Sequence, residues 1–404
     1  MKILYVTSGM NFEMRQTSVE LMIIKELQKM GHDITIISTD INPYSGRTQN
    51  KRIYDNQQMS TEIIDEPIDI HGIPVFVLHC SLPASLGVYC PNASNLAKKI
   101  IKNYDVIHIA SWYHHPGIVF SKIAFEYKVP YVFSAYATLQ SENRSHKKIQ
   151  KWLFDHLYTK KMIYRASGFQ SVGDLETEAY IKLGADSRKI YRIDPAIAPE
   201  TFEITERTNV FSRMGVDREH NQYLLCLGRI VERKRIDLII RAFAKLVKNK
   251  KKLILVIAGS GAKSYERKIK QLIHELRIEE NVKFAGLVLG NEKLELLESA
   301  KLLVHTASGD IHPLAVEEAL TMGIPVVVTN CDMPEIAEYQ AGIIVEPDIN
   351  SIHQALIKML EDENKLSIFS KNAKKLVNEK FLLKDQVKKY ESMYLNAIKN
   401  KPQI

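Results

Sequence analysis

The sequence has few of the features that mark secreted, membrane-spanning or zinc-stabilised proteins. Its four cysteines, Cys80, Cys90, Cys226 and Cys331, form no Cys-x-x-Cys pair, which argues against a zinc site and a disulfide framework. No apolar run approaches the ~20 residues of a membrane-spanning helix. The apolar start, KILYVT, runs directly into polar sequence without a small-residue cleavage site. We therefore predict a cytoplasmic protein with free thiols.

A large excess of one charge is also absent. The 55 Lys and Arg residues stand against 47 Asp and Glu residues, which gives a formal net charge of +8. An excess of this size suits an anionic ligand: a nucleotide diphosphate, an acidic membrane surface or nucleic acid. Zinc-finger spacing, RRM-type aromatic motifs and basic regions joined to heptads are missing, so we expect no nucleic acid partner.

Short apolar runs of strand length alternate with amphipathic stretches of helical spacing, a pattern that predicts parallel sheets covered by helices. The first series of predicted strands is Lys2–Thr7, Asp33–Ser38, Asp105–Ile109, Pro130–Ser134, Gly168–Val172 and Lys189–Ile193. The second series is Tyr223–Leu227, Leu253–Ala258, Val282–Ala285, Leu302–Thr306, Pro325–Val328 and Gly342–Val345. Residues 38–73 lack this rhythm and are expected to be irregular, with one added hairpin or flap.

The fold class is therefore α/β, with two Rossmann-like, doubly wound domains at 1–200 and 201–380. Ligands of such sheets bind beyond the carboxyl ends of the strands. Two facing domains would place the site in the cleft between them.

Two loops of the second domain follow predicted strands and begin or end with glycine. The first, GRIVERKR at 228–235, offers the guanidinium of Arg229 and the ammonium of Lys234, two ways to neutralise phosphate. A solvated basic loop is the alternative. The second, AGSG at 258–261, resembles a fragment of a phosphate-binding turn, although an ordinary tight turn also explains it.

A third segment, SGDIHPLAVEEA at 308–319, predicts a helix that begins at Pro313, a residue well suited to the first helical position. The unpaired N–H groups and the positive dipole end of this helix favour a diphosphate. Asp310 can accept hydrogen bonds from sugar hydroxyls, and Glu318 can bind both ribose hydroxyls. Acids at helix starts are also common without any ligand.

The order of these motifs resembles family 4 of the retaining glycosyltransferases: GR…K, AGSG, FAGLV, an acid eight residues before Glu-Ala, and GIPVV. The resemblance is strong over residues 223–345 and looser over the first domain. It implies the GT-B fold, in which a C-terminal helix, here 381–404, crosses back to the first domain. It also implies a nucleotide-sugar donor of UDP, GDP or ADP type, a glycan or lipid-linked acceptor, and no cofactor or metal.

Position by position, the resemblance implies the following roles. Arg229 and Lys234 would stabilise the departing diphosphate, as preorganised cations do in a transition state. Glu318 would hold the ribose, and Asp310 stands where the family has the first Glu of its Glu-x7-Glu pair, against the donor sugar. No protein nucleophile is expected, unlike in glycosidases with their paired carboxylates. Further residues of the nucleotide-sugar site are expected in the strand-end loops and the helix start: Gly228, Gly259, Gly261, Leu287, Val288, Pro313, Leu314 and Ala315.

Several positions depart from the family pattern. The Gly-Gly of the first strand–helix loop is replaced by Met10–Gln16, with Gly9 nearby. The family's His at the end of VPYVFS corresponds to Tyr136, and its Gly-Phe-Gly after the first acid is Ile-His-Pro at 311–313. These changes predict an unusual donor sugar or, as the alternative, a lost activity.

Two further features belong to the first domain. His114 and His115 follow a predicted strand, where they are placed for an acceptor-side role or are exposed loop residues, whereas His108 is predicted to be a satisfied core residue. The segment 145–165, SHKKIQKWLFDHLYTKKMIYR, is a basic amphipathic helix. It predicts contact with an anionic membrane surface beside a lipid-linked acceptor, with packing of its apolar face on the sheet as the alternative.

We predict a glycosyltransferase of cell-surface polysaccharide or glycoconjugate synthesis, peripheral on the inner face of the cell membrane. A nucleotide-sugar epimerase of the same fold is one alternative, but no His or Glu cluster offers the acid and base that it needs. A non-catalytic nucleotide-sugar-binding partner subunit is the other, favoured by the departures at Tyr136, Asp310 and Met10–Gln16.

Overall fold

The computed structural model describes residues 1–10, 19–40, 66–81, 89–136, 138–139, 152–217, 222–247, 252–329 and 331–400. The chain divides into two compact units, Met1–Ala196 together with Leu383–Ile404, and Ile197–Leu382. The sequence predicted boundaries after residues 200 and 380, whereas the second compact unit runs from Ile197 to Leu382. Of the irregular segment 38–73, residues 41–65 lie outside the described part of the chain.

The first unit is built on an eight-stranded sheet. Its strands are β1 Lys2–Val6, β2 Asp33–Thr39, β3 Ile68–Asp69, β4 Pro74–Leu78, β5 Val106–Ala110, β6 Tyr131–Ser134, β7 Gly168–Ser171 and β8 Ile190–Arg192. They lie in the order β3-β4-β2-β1-β5-β6-β7-β8, and every adjacent pair is parallel except β3 with β4. Residues 3–6 of β1 are buried, as expected of a central parallel strand covered on both faces.

Helices cover this sheet, and the last of them comes from the end of the chain. The helix Val19–Lys29 buries Leu21, Ile24 and Leu27, the spacing of one helical face. The C-terminal helix Leu383–Lys399 packs against it and belongs to the first unit, as the fold prediction stated. The other α-helices given for the described residues of this unit are Ala93–Ile100, His115–Glu126, Lys160–Arg165 and Asp174–Lys182.

The second unit contains a six-stranded, fully parallel sheet. Its strands are β9 Gln222–Leu227, β10 Leu253–Ala258, β11 Val282–Gly286, β12 Leu302–His305, β13 Val326–Val328 and β14 Gly342–Ile344. Their order is β11-β10-β9-β12-β13-β14, which places the ends of β9, β10 and β12 side by side. In the described residues of this unit, the α-helices are Val210–Met214, Ile236–Val247, Lys263–Leu276, Gly290–Ser299, Leu314–Thr321, Glu335–Glu338, Ile349–Leu360 and Glu363–Leu376.

The predicted fold class is confirmed: two α/β units, each on a mostly or fully parallel sheet. The β3–β4 hairpin begins within the segment 38–73, where a hairpin or flap was predicted, but its second strand lies beyond that segment. β4 itself was not predicted, although its apolar run PVFVL is typical of a buried strand. The four cysteines are free thiols. No helix in the described part of the chain is long and apolar enough to cross a bilayer.

Candidate functional site

Two glycine-containing loops pack directly on each other at the carboxyl ends of β9 and β10. Ile230 N–H donates to the Ser260 carbonyl at 3.0 Å, and Ala262 N–H donates to the Ile230 carbonyl at 3.1 Å. A Cβ on Gly261 would stand 1.9 Å from the Ile230 carbonyl oxygen, and one on Gly259 would stand 1.9 Å from the Gly228 oxygen. Close approach of two backbones therefore requires glycine at 259 and 261. A role in binding a nucleotide sugar stays a prediction for them and for Gly228.

The basic loop after β9 is fastened to the segment that follows β12. Residues Glu232–Lys234 form a 3₁₀ turn, and the Thr306 hydroxyl donates to the carbonyls of Lys234 and Arg235 at 3.0 Å each. The Ser308 N–H donates to the Arg233 carbonyl at 2.9 Å. These contacts fix where the side chains of Arg233 and Lys234 point.

Both of those side chains meet the same carboxylate. Asp310 is only 8% exposed, and it accepts from the Lys234 ammonium and lies 3.1 Å from Nη1 of Arg233. His305, the last residue of β12, places Nε2 3.0 Å from Oδ2 of Asp310. Because a carboxylate can only accept, the neutral His305 ring must carry its proton on Nε2.

Electrostatics keep Asp310 ionised. Burial would raise the pKa of its carboxyl, but the hydrogen bond from His305 and the ammonium of Lys234 outweigh burial and hold this pKa well below its usual range. The pKa of His305 is lowered by burial, against the opposing effect of its bond to Asp310. Of the three predicted catalytic residues, the structure joins Lys234 and Asp310, while Arg229 is exposed on the same loop.

Sequence reasoning missed two members of this cluster. Arg233 lies within the basic run GRIVERKR at 228–235, and His305 lies near the end of the predicted strand Leu302–Thr306, but neither was predicted to belong to the site. The signal that could have found His305 is its position, since the carboxyl end of a parallel strand faces the ligand edge of the sheet.

The helix Leu314–Thr321 begins one residue later than predicted. Pro313 has φ −67° but an extended ψ of 121°, so it is the cap that precedes the helix rather than its first residue. The backbone N–H groups of Val316 and Glu317 already point to the Pro313 carbonyl. Leu314 is exposed and Ala315 half-buried, so solvent reaches the first two residues of the helix, whereas Val316 and Glu317 are buried.

Acidic residues of this helix are paired in two different ways. Glu318 is half-buried, and Nζ of Lys293 lies 2.6 Å from its Oε1. Glu317 is buried, and its Oε1 lies 3.1 Å from Nδ1 of His312. His312 adopts a left-handed backbone with φ 43° at the position where the family has Phe.

The loop after β11 carries the residues predicted to meet the base. Leu287 is exposed, whereas the Val288 side chain is packed in the core of the second unit. Gly286 precedes them with φ 73°, and its carbonyl accepts from Gly259 N–H at 2.6 Å. The loop is thus fastened to the glycine turn after β10.

Three histidines of the first unit, His108, His114 and His115, are held by hydrogen bonds. His114 caps the helix His115–Glu126 by accepting from Gly117 N–H at 3.2 Å, and burial lowers its pKa to about 4. It is therefore not an exposed loop residue. His115 is half-buried and accepts from Cys90 N–H at 3.4 Å. His108 lies between Tyr394 and Ser134, at 2.6 and 2.7 Å, as predicted for a core residue.

The residue at the end of β6 joins a chain of hydroxyl groups. Tyr136 has φ 47°, and its hydroxyl lies 3.1 Å from that of Tyr5, which donates to Glu20 at 2.9 Å. Burial raises the pKa of Tyr136 well above its usual value. Gly9 is half-buried three residues after β1, and residues 11–16 of the predicted Met10–Gln16 departure lie outside the described chain.

Comparisons with known proteins agree with this architecture. Residues 212–376 match the family model of the Glycosyl transferases group 1, and residues 18–201 match that of Glycosyltransferase Family 4. An uncharacterized glycosyltransferase of Methanocaldococcus jannaschii is 27% identical over 350 residues, 82% of this chain and 86% of that protein. The alpha-monoglucosyldiacylglycerol synthase of Streptococcus pneumoniae is 26% identical over 325 residues, 75% of this chain and 65% of that protein.

Among solved structures, the HepE protein of Anabaena in complex with UDP and glucose has the same fold. Its TM-score is 0.72 at 17% sequence identity, over 97% of this chain and 98% of that one.

Proposed function

The chain belongs to family 4 of the glycosyltransferases, with the GT-B fold, and we propose that it transfers a sugar from a nucleotide-sugar donor with retention and without a metal. The observation that carries the proposal is the cluster at the ends of β9 and β12, where Lys234 and Arg233 meet the Asp310 carboxylate. Fixed cations in a partly buried site stabilise charge that develops on a leaving diphosphate.

The proposed reaction has one bond broken and one formed at the anomeric carbon. The bond from that carbon to the phosphate oxygen breaks, and its electron pair leaves with the diphosphate. The acceptor oxygen bonds to the carbon from the same face, and its proton passes to a phosphate oxygen. Lys234 and the exposed Arg229 neutralise the diphosphate, while Asp310 accepts a hydrogen bond from a donor-sugar hydroxyl.

The donor is proposed to be a nucleoside diphosphate sugar of UDP, GDP or ADP type. Glu318 lies at the surface of the helix Leu314–Thr321, where its carboxylate can accept from both ribose hydroxyls. The backbone at Leu287 and Val288 follows β11 and would meet the base. The bound UDP of the structurally similar Anabaena protein supports a nucleotide in this kind of fold.

A lipid-linked acceptor at the inner face of the cell membrane fits one surface of the first unit. Apolar side chains on this surface are exposed instead of packed on the sheet, up to 64% for Trp152 and 85% for Tyr164. Lysines stand beside them at 160 and 161, while Thr159, Met162 and Ile163 are buried. An apolar surface edged by cations suits anionic lipid. The pneumococcal relative is named for a diacylglycerol glycolipid, which supports a lipid acceptor.

Vesicle sedimentation tests this surface. We expect the protein to sediment with vesicles of phosphatidylglycerol and phosphatidylcholine but not with phosphatidylcholine alone, and to be released by ~0.5 M salt because the charges are screened. Lys160→Glu with Lys161→Glu should abolish sedimentation, whereas Lys182→Glu, on another exposed helix of the same unit, should not. If sedimentation depends neither on lipid charge nor on salt, the proposed contact with an anionic membrane is wrong.

Product analysis tests the reaction itself. The protein is incubated with UDP-, GDP- and ADP-sugars, with and without lipid extracts as acceptor, in the presence of EDTA. We expect nucleoside diphosphate release only with acceptor, and a product whose anomeric configuration by NMR equals that of the donor. Conversion of the donor sugar without acceptor would indicate an epimerase, and donor binding without any product would indicate a binding subunit.

A further inference from the structure

A lysine holds the carboxylate that is proposed to bind the ribose. Nζ of Lys293 lies 2.6 Å from Oε1 of Glu318, and the two side chains are only 13% and 18% exposed. Lys293 stands in the helix Gly290–Ser299, which follows directly on the loop of Leu287 and Val288. The pair therefore lies next to the loop that is proposed to meet the base.

The location of Lys293 is unfavourable by local rules. It is the fourth residue of its helix, and a cation near a helix N-terminus is opposed by the helix dipole. Partial burial removes water from both charges, and replacing such a pair by apolar side chains is often neutral or stabilising. A contribution to folding stability is therefore a weak explanation for the presence of this ion pair.

Ligand binding gives a stronger account. A carboxylate offers about four acceptor positions, and one ammonium occupies a single position on Oε1. Enough positions remain on Glu318 for two ribose hydroxyls. A side chain already fixed by an ion pair also loses less conformational freedom when the ligand arrives. The ammonium further offsets repulsion between the Glu318 carboxylate and an approaching diphosphate.

We propose that Lys293 is a positioning residue for ribose recognition: it fixes the Glu318 carboxylate in the orientation that accepts the 2′ and 3′ hydroxyls. The inference rests on the proposed function, in which Glu318 meets the ribose of the donor. It makes Lys293 a determinant of the preference for ribonucleotides over 2′-deoxyribonucleotides.

Calorimetry with matched nucleotides tests this role. The dissociation constants of UDP, GDP and ADP are measured first, and then that of the 2′-deoxy form of whichever binds best. For Lys293→Met we expect the ribonucleotide to bind about tenfold more weakly, as for the loss of one charge-assisted hydrogen bond. The 2′-deoxy form should bind nearly as well as to the wild type, so the ratio of the two constants falls toward one.

Three further variants separate positioning from folding. Lys293→Arg keeps the cation and should keep most of the ribose preference, while Glu318→Gln should lose it. Lys301→Met is the control. Lys301 is also ion-paired with a glutamate, Glu363, in a more exposed pair at 3.7 Å, but it precedes β12 and so lies at the amino ends of the strands instead of the carboxyl ends. The ratio of two constants measured on one preparation does not depend on the fraction of folded protein.

The outcomes distinguish the two proposals. A wild type that prefers the ribonucleotide, with a preference unchanged in Lys293→Met, would overturn the role of Lys293 and leave the proposed function standing. An equal loss for both nucleotides would also overturn it, because Lys293 would then act on the phosphates or the fold. No binding of any nucleoside diphosphate to the wild type would overturn the proposed function, and this inference with it.

Discussion

The two units hold their candidate residues by different kinds of contact. In the second unit, ion pairs dominate: Lys234 with Asp310, and Lys293 with Glu318. In the first unit, the candidate residues make neutral hydrogen bonds: His114 accepts from the Gly117 N–H, and the Tyr136 hydroxyl bonds to that of Tyr5. Charged groups suit a ligand that carries a diphosphate, and neutral donors and acceptors suit hydroxyl groups. Under the proposed function, we therefore expect the ion-paired residues of the second unit to interact with the diphosphate of the donor.

The largest effect should come from removing a cation of the second unit. We expect Lys234→Ala to lower turnover about a thousandfold, because a preorganised charge next to the leaving diphosphate is lost. Steady-state kinetics with the identified donor measure it, and circular dichroism should show an intact fold. Near wild-type turnover in a variant that also carries Arg229→Ala would disprove this site.

The pH dependence of stability tests whether the buried histidines of the first unit are neutral in the folded protein. Burial lowers the pKa of His108 to about 3 and that of His114 to about 4. The unfolded chain binds protons below about pH 6.5 that these folded side chains do not, so stability is lost as the pH falls from there toward the folded values. Each histidine should lower the free energy of unfolding by about 1.4 kcal/mol per pH unit in that range.

Urea unfolding between pH 7.5 and pH 5, followed by tryptophan fluorescence, measures this loss. Both tryptophans, Trp112 and Trp152, belong to the first unit, so their signal reports that unit alone. In His114→Asn the slope with pH should fall by the contribution of one histidine. His71→Asn serves as control, because His71 is exposed and asparagine tolerates its left-handed backbone. A slope that His114→Asn leaves unchanged would contradict the prediction.

The smallest effect is expected for Asp310→Asn, which should separate turnover from binding of the free nucleotide. Asp310→Asn should reduce turnover about tenfold, because a charged acceptor for the sugar is lost. Binding of the free nucleoside diphosphate should stay the same or tighten, since Asp310 no longer neutralises Lys234. Calorimetry beside kinetics gives both values. A loss of nucleotide affinity equal to the loss of turnover would show that Asp310 serves binding of the whole donor.

The sequence predicted those parts of the molecule that depend on local pattern. Apolar runs located most of the parallel strands, and the segments that follow β9 and β12 contained Lys234 and Asp310. It did not predict that Lys293 pairs with Glu318, because 25 residues separate them and only the packing of two helices brings them together. The same holds for His305, whose partner is defined by the turn after β12.

Two local errors have equally physical causes. Proline suits both the first helical residue and the position before it, because its φ fits either, and only ψ distinguishes them at Pro313. His114 was expected in a loop because it follows a predicted strand, yet its ring accepts from the Gly117 N–H in the first turn of a helix and is buried there. Neither ψ nor burial of a single polar side chain is encoded in periodicity.

The path of the chain has a consequence for the order in which the protein can be made. The second unit is an insertion whose two ends run side by side, with Ile197 N–H donating to the Phe381 carbonyl at 2.7 Å. Synthesis therefore completes the inserted unit before the first unit receives its last helix, Leu383–Lys399. The side chains of Val19–Lys29 that this helix covers therefore remain uncovered until residues 383–399 have been synthesised. The unit that is started first is the last to be finished.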